Sequence, residues 1–188
     1  MADPIRLATP HDAAAFCRIY APIVRETALS FETEPPGELE MGRRVREALE
    51  FAPWLAWDES GDVLGYAYGT RFRARPAYAW TVEVSVYVDA RARRRGIGRA
   101  LYADLIDLVR LQGFRTALAV LTVPNPESAG LHASLGFEPI GLFRDTGFKL
   151  GAWRHTQWWS LHLGLGCAPA PTRSAAAAWA LRSPHRAS

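Results

Sequence analysis

Between Tyr78 and Gln112 the hydrophobic pattern changes period in mid-run, and few folds accommodate that change. Trp80, Val82, Val84, Val86 and Val88 alternate with Thr81, Glu83, Ser85 and Tyr87, and this period of two marks a β-strand with two unlike faces. Leu101, Leu105, Leu108 and Leu111 then recur at helical spacing. The junction is the basic loop Arg93-Arg94-Arg95-Gly96-Ile97-Gly98. A helix start leaves several backbone N–H groups unpaired, and the helix dipole places partial positive charge at the same end. Glycines let the main chain approach a ligand closely, and arginines add formal charge. The turn is expected to hold a diphosphate through main-chain donors, with arginines around it. The competing reading is a glycine-rich helix start with a solvated arginine face. The spacing R-x-x-G-x-G matches neither the G-x-G-x-x-G dinucleotide fingerprint nor the G-x-x-x-x-G-K-[ST] phosphate loop.

The rest of the composition narrows the class. A chain of 188 residues, 49% hydrophobic and 22% charged, fits one soluble globular domain. The net charge is only +3, and Lys149 is the only lysine. Much of the basic charge lies in 91–99, which favours a local anion site over a nucleic-acid surface. Cys17 and Cys167 are far apart and form neither a disulfide framework nor a metal-ligand spacing. No metal is expected. There is no signal-peptide pattern and no apolar run long enough to span a bilayer, so a reducing cytoplasm is the expected location and a membrane is not an expected partner.

In chain order, Ile5-Arg6-Leu7 reads as a strand, and Thr9-Pro10-His11-Asp12 as a capped helix start. Phe16, Ile19, Tyr20, Ile23 and Val24 form the buried stripe of that helix, with Cys17 as a structural thiol within it. Ser30–Pro36 connects it to a second helix through Met41, Val45 and Leu49. Trp54–Trp57 and Val63–Arg73 read as a hairpin around turn residues 58–62. Arg71, Arg73 and Arg75 are either a solvated edge or a clamp for a carboxylate or phosphinate, with Arg75 preferred because it lies nearest the central strand. Phe114–Val123 is an apolar strand, and 124–128 stops it and starts a helix that Gly136 ends. Gly141–Gly147 and Arg154–Leu163 complete the strands, and 164–188 reads as an Ala- and Pro-rich tail without its own core, with Ala175–Leu181 as a transient helix within it. The order β-α-α-β-β-β-α-β-α-β-β suits an α/β domain around one mixed sheet.

Arg93–Gly98, set after Val86-Tyr87-Val88, resembles the acetyl-CoA pyrophosphate loop of the GCN5-related N-acetyltransferases (GNAT). The resemblance covers about residues 4–163. It includes Asn125, Ser128 and the run Leu131-His132-Ala133-Ser134-Leu135-Gly136-Phe137. His132 stands where the family commonly has tyrosine. Tyr78–Tyr87 and Gly147–Trp159 are similar to the phosphinothricin and methionine-sulfoximine acetyltransferases, which also have histidine there. The resemblance implies a central mixed sheet flanked by helices and splayed between its fourth and fifth strands. It implies acetyl-CoA as cosubstrate, a small amine as acceptor and a homodimer.

In such a family the amine attacks the thioester directly. The resemblance implies that Val86, Tyr87 and Val88 face the cofactor arm and that Arg93, Arg94, Arg95, Gly96, Ile97, Gly98 and Arg99 surround its phosphates. Asn125 would bond the arm, and Ser128 and Ser134 would line its path. Phe31, Glu32, Arg75, Glu83 and Ser85 fall on the acceptor side. An aliphatic amine with a pKa between about 8 and 10.4 costs roughly 1.4–4.6 kcal/mol to neutralise at pH 7. Glu83, an acid in an otherwise apolar strand, is the candidate base, directly or through water; its bland alternative is a buried carboxylate paired with an arginine. His132 is either a proton donor to the leaving thiolate, an auxiliary base, or a structural histidine. Two further readings stay open: acetylation of a protein or peptide amine, and a non-catalytic coenzyme A sensor. Nucleic-acid binding would rest on Arg91–Arg99 alone, where the interleaved aromatics of a stacking platform are missing.

Overall fold

The structure is a computed structural model that describes residues 3–164, 170 and 172–182. Cys167, the second cysteine of the sequence reading, lies outside the described residues. The first strand, β1 (Ile5–Leu7), leads to Thr9 and a 3-10 turn over Pro10–Asp12. The Asp12 carboxylate accepts from the Thr9 amide at 2.7 Å and from its hydroxyl at 3.2 Å, and the Asp12 amide donates back to the Thr9 carbonyl at 3.0 Å, which closes the helix start at the residues the sequence suggested. Helices α1 (Ala13–Glu26) and α2 (Glu38–Leu49) follow, with the proline-containing connection between them.

A hairpin of β2 (Trp54–Glu59) and β3 (Asp62–Arg71) runs into β4 (Thr81–Val88). Next come α3 (Ile97–Gln112), β5 (Thr116–Val123) and α4 (Pro126–Ser134). The final hairpin, β6 (Glu138–Lys149) and β7 (Ala152–His162), is longer than its sequence pattern implied. Register shifts at Pro139/Gly141 and Phe143/Gly147 interrupt the alternation in β6, so period-two reading recovers only its middle.

The seven strands run in the order β1-β2-β3-β4-β5-β7-β6. Strands β4 and β5 are parallel, and the other neighbours are antiparallel. The expected mixed sheet with helices on its faces is what forms. Val82 and Val84 point into a core with Leu101, Leu105 and Leu108 of α3, whereas Tyr66 joins Phe16 and Val24 of α1 on the other face. Burying such side chains contributes roughly 1.5–3 kcal/mol each.

The splay is also present. Strand β4 stays paired with β3 as far as Gly65–Val88, and β5 stays paired with β7 to Val123–His155. Between β4 and β5 only Thr81–Thr116, Val82–Ala117 and Glu83–Leu118 are matched. The sheet is therefore two tightly laddered halves that part after Glu83.

The segment expected to be a coreless tail supplies a further helix, α5 (Ala175–Ala180), lying on α3. Ala175 and Ala178 are buried, and Arg182 pairs with Asp3 at 2.8 Å and with Asp104. Gln112 of α3 donates from Nε2 to the Arg173 carbonyl at 2.8 Å. An alanine-rich stretch carries little hydrophobic signal, and this one docks by borrowing the face of α3 and buried polar contacts.

Candidate active site

The parting of β4 and β5 opens a cleft of about 580 Å³. Main-chain direction decides what faces it. Gly69 donates its amide to Pro53 at 3.0 Å, toward β2. Its N–H and C=O share that direction, so its partner Val84 turns both of its own groups away from β3. Val86 and Val88 repeat the orientation at the period of the strand, beyond the last β5 rung. Their amides and carbonyls look into the gap.

At the far end of the cleft, Gly96 sits in the left-handed region at φ 79° and starts α3. The first helical bond is Ala100 N–H to Gly96 C=O at 3.0 Å, which leaves the amides of Ile97, Gly98 and Arg99 as donors. A Cβ on Gly98 would approach Val88 Cγ2 to 3.2 Å, so glycine there brings the helix start against the end of β4.

The arginines divide. Arg93 and Arg94 line the cleft, and neither has an ion-pair partner among the described residues. Arg91 binds Asp89 at 2.9 Å, and Arg18 holds the same carboxylate, which anchors the loop to α1. Arg95 does not line the cleft; it turns to Glu59 at 2.6 Å. Arg99 lines it and donates to the Ser134 hydroxyl. Ser134 itself lies outside the lining and donates to Leu131 C=O at 2.8 Å. Asn125 caps α4 by accepting from the Ser128 amide at 3.1 Å, leaving its side-chain N–H groups for the cleft that both residues border.

On the opposite face of β4 stand Glu83, Ser85 and Tyr87, across from Thr70, Tyr68 and Tyr66 of β3. Burial alone raises the Glu83 carboxyl above its ordinary value, and no arginine pairs with it among the described residues. Tyr68, Thr70 and Tyr66 also wall a second cavity of about 470 Å³ beneath α2, with Arg44 and Arg71 at its edge.

Of the other acceptor-side residues, Glu32 is held by Arg44 at 2.7 Å and by the Tyr20 hydroxyl at 3.0 Å. Phe31 lies beside Gly147 of β6. Arg75 is exposed and its guanidinium has no carboxylate partner among the described residues, while Arg73 stacks over Phe72 at 5.0 Å. None of Phe31, Glu32, Arg75 and Glu83 is part of the cleft wall, although Ser85 is.

His132 is buried, with Nδ1 2.7 Å from the Ser128 carbonyl and Nε2 2.9 Å from the Tyr102 hydroxyl. Burial lowers its pKa, opposed by the Ser128 carbonyl. Tyr102 escaped sequence reasoning: on an amphipathic helix a lone tyrosine between leucines reads as core.

The profile of the acetyltransferase (GNAT) domain matches residues 5–158. The chain belongs to the GNAT acetyltransferase family. Among curated proteins, this GNAT acetyltransferase is 37% identical over 169 residues to a phosphinothricin N-acetyltransferase of Streptomyces viridochromogenes, covering 90% of the chain and 92% of that relative. It is 34% identical over 167 residues to an L-methionine sulfoximine/L-methionine sulfone acetyltransferase of Salmonella typhimurium, covering 88% and 97%. Among solved structures it resembles a GNAT superfamily phosphinothricin acetyltransferase of Sinorhizobium meliloti in complex with acetyl-CoA. There the TM-score is 0.84 at 39% identity, over 92% of this chain and 94% of that one. The protein is an acetyl-CoA-dependent N-acetyltransferase, and its cleft has the donors that such a cosubstrate needs: helix-start amides, two uncommitted arginines and the open edge of β4.

Proposed function

We propose that this chain transfers the acetyl group of acetyl-CoA to the amine of a small amino acid analogue of the phosphinothricin, methionine sulfone or methionine sulfoximine type. The names of its relatives support that acceptor class. The observation that carries the reading is the coincidence of the strand gap with an acid: the β4–β5 ladder ends at the rung that contains Glu83.

Acetyl-CoA lies along the gap, its amides meeting Val86 and Val88 and its diphosphate meeting the Gly96–Arg99 amides, Arg93 and Arg94. The acceptor enters from the Glu83 face. Glu83 takes the ammonium proton. The freed nitrogen forms the C–N bond, the C–S bond breaks, and the nitrogen's surplus proton passes to the departing sulfur, which leaves as the coenzyme A thiol. Glu83 precedes Val86 by three residues, about 10 Å of extended chain, so a water carries the proton across. Arg75 and the main chain near Glu83 hold the acidic groups of the acceptor, and Phe31 and Ser85 bound its site.

The working unit is a homodimer. Ile140, Leu142, Phe143 and Phe148 of the edge strand β6, with Trp153 of β7, present large exposed apolar side chains, which favours burial against a second copy. Phe143→Asp is expected to halve the mass in light scattering. The compartment is taken as the cytoplasm, where the free Cys17 thiol stays reduced.

A free-thiol release assay over a panel of amines tests the activity. Release with phosphinothricin or methionine sulfoximine and not with peptides supports the reading. Release only with peptides, or heat of coenzyme A binding without release, would replace it with one of the other two readings.

A further inference from the structure

Tyr102 is fully buried beneath the cleft, and its hydroxyl lies 3.3 Å from the Val84 carbonyl and 2.9 Å from His132 Nε2. The other imidazole nitrogen, Nδ1, lies 2.7 Å from the Ser128 carbonyl. A carbonyl has no proton to give, so Nδ1 carries the ring proton and donates. In a neutral imidazole Nε2 must then accept, so the single Tyr102 hydroxyl proton is forked between Nε2 at 2.9 Å and the Val84 carbonyl at 3.3 Å, with the shorter contact taking the larger share. The rings are fixed as well as the polar atoms. Tyr102 lies parallel to Phe137 at 5.9 Å, and His132 stands across both at 5.1 and 5.2 Å.

Val84 gives this cluster its meaning. Its carbonyl is the first main-chain acceptor on β4 that points toward β5 beyond the last rung, Glu83–Leu118. A continuing sheet would offer it an amide of β5. Here a side chain of α3 occupies that position, and the same hydroxyl reaches α4 through His132.

We infer that Tyr102 is a positioning residue of the acetyl transfer: its hydroxyl, shared between Val84 and His132, fixes the place where the two halves of the sheet part. The thioester's position along β4, and so its distance from Glu83, follows from where that gap begins. Tyr102 lies in the floor of the cleft, but its hydroxyl is committed to Val84 and His132, so it acts through them and not on the reacting atoms. With both ring nitrogens engaged inside the protein, His132 shares the positioning role and has no nitrogen free for the thiolate. This inference rests on the acetyl-transfer reading.

Tyr102→Phe keeps the ring and removes both contacts. Coenzyme A affinity by calorimetry should stay within about three-fold, the KM for the amine should hold, and kcat should fall about 10- to 100-fold, as for a misplaced reacting group. A kcat within about two-fold of wild type, with only a lower thermal midpoint, would make Tyr102 a packing residue and overturn the inference. Imidazole ¹⁵N spectra of the wild-type protein give a second reading that needs no variant. An unprotonated, hydrogen-bonded Nε2 on His132 at neutral pH is expected, and a proton resident on Nε2 would overturn it. Wild-type protein that neither binds coenzyme A nor releases thiol would sink the acetyl-transfer reading instead, while the spectra still decide the arrangement around Tyr102.

Discussion

The ring of Phe31 occupies the space that a side chain on Gly147 would need: a Cβ there would lie 2.4 Å from Phe31 Cε2. The connection between α1 and α2 is thereby seated on the terminal hairpin, at the side where the acceptor is proposed to enter. The seat is reinforced by Lys149, which is buried and donates from Nζ to the Ser30 carbonyl at 2.6 Å. Gly147→Ala must displace Phe31, which is 40% exposed and free to swing outward. The fold should survive with a loss below about 1–3 kcal/mol, the usual range for overpacking. The KM for the amine should rise while coenzyme A affinity holds, as steady-state kinetics and calorimetry together would reveal.

Glu83→Gln separates catalysis from stability. Burial raises the pKa of the Glu83 carboxyl, and only the ionised form accepts a proton. The wild-type kcat/KM should therefore fall on acidification through a value above the ordinary carboxylate range. The Gln variant should lose that limb and most of its turnover while still binding coenzyme A. Because the folded pKa is raised, the folded state holds this proton more tightly, and stability declines as pH rises through the shift. The variant should then be as stable as wild type or more so at neutral pH, by up to about 2 kcal/mol in denaturant melts. Unchanged turnover at every pH would remove Glu83 from the mechanism.

The two loop glycines should fail for different reasons. Nothing lies within 4 Å of a Cβ at Gly96, yet its φ of 79° makes Gly96→Ala strained by about 1–2 kcal/mol. Gly98 has ordinary helical backbone, but a Cβ there presses on Val88 at 3.2 Å. Both variants should weaken coenzyme A binding about ten-fold or more, an effect calorimetry reads directly. Only Gly98→Ala should also alter kcat, since it pushes on β4.

Asp12 sets part of the acid stability. Burial pushes its carboxyl up, but Arg6 and the Thr9 donors outweigh it and leave the pKa below 3.8. The depressed value means that its contribution is complete above the unfolded pKa and is lost as pH falls through the folded one. Asp12→Asn should cost about 1–3 kcal/mol at pH 7 and flatten the decline of thermal midpoint below pH 4.

Local pattern determined a great deal by itself. The alternation of β4, the glycine turn and the leucines of α3 follow from backbone geometry acting over a few residues, and the turn they frame is the one that borders the cleft. The capping chemistry at Thr9 was legible for the same reason: a cap bonds within three residues of itself. Tertiary structure alone decided how those pieces are used. Arg93 and Arg95 are alike in sequence, but only the partner Glu59, supplied by the β2–β3 hairpin, turns Arg95 away from the cleft. The groups that meet the two ring nitrogens of His132, the Tyr102 hydroxyl and the Ser128 carbonyl, come together only on folding. The docking of α5 is invisible to hydrophobic periodicity because its buried surface is alanine and its anchors are Gln112, Asp3 and Asp104 from distant parts of the chain. Short-range rules describe bonds a residue makes with its neighbours in sequence, whereas ion-pair choice, burial and the point where strands part depend on groups brought together only by folding.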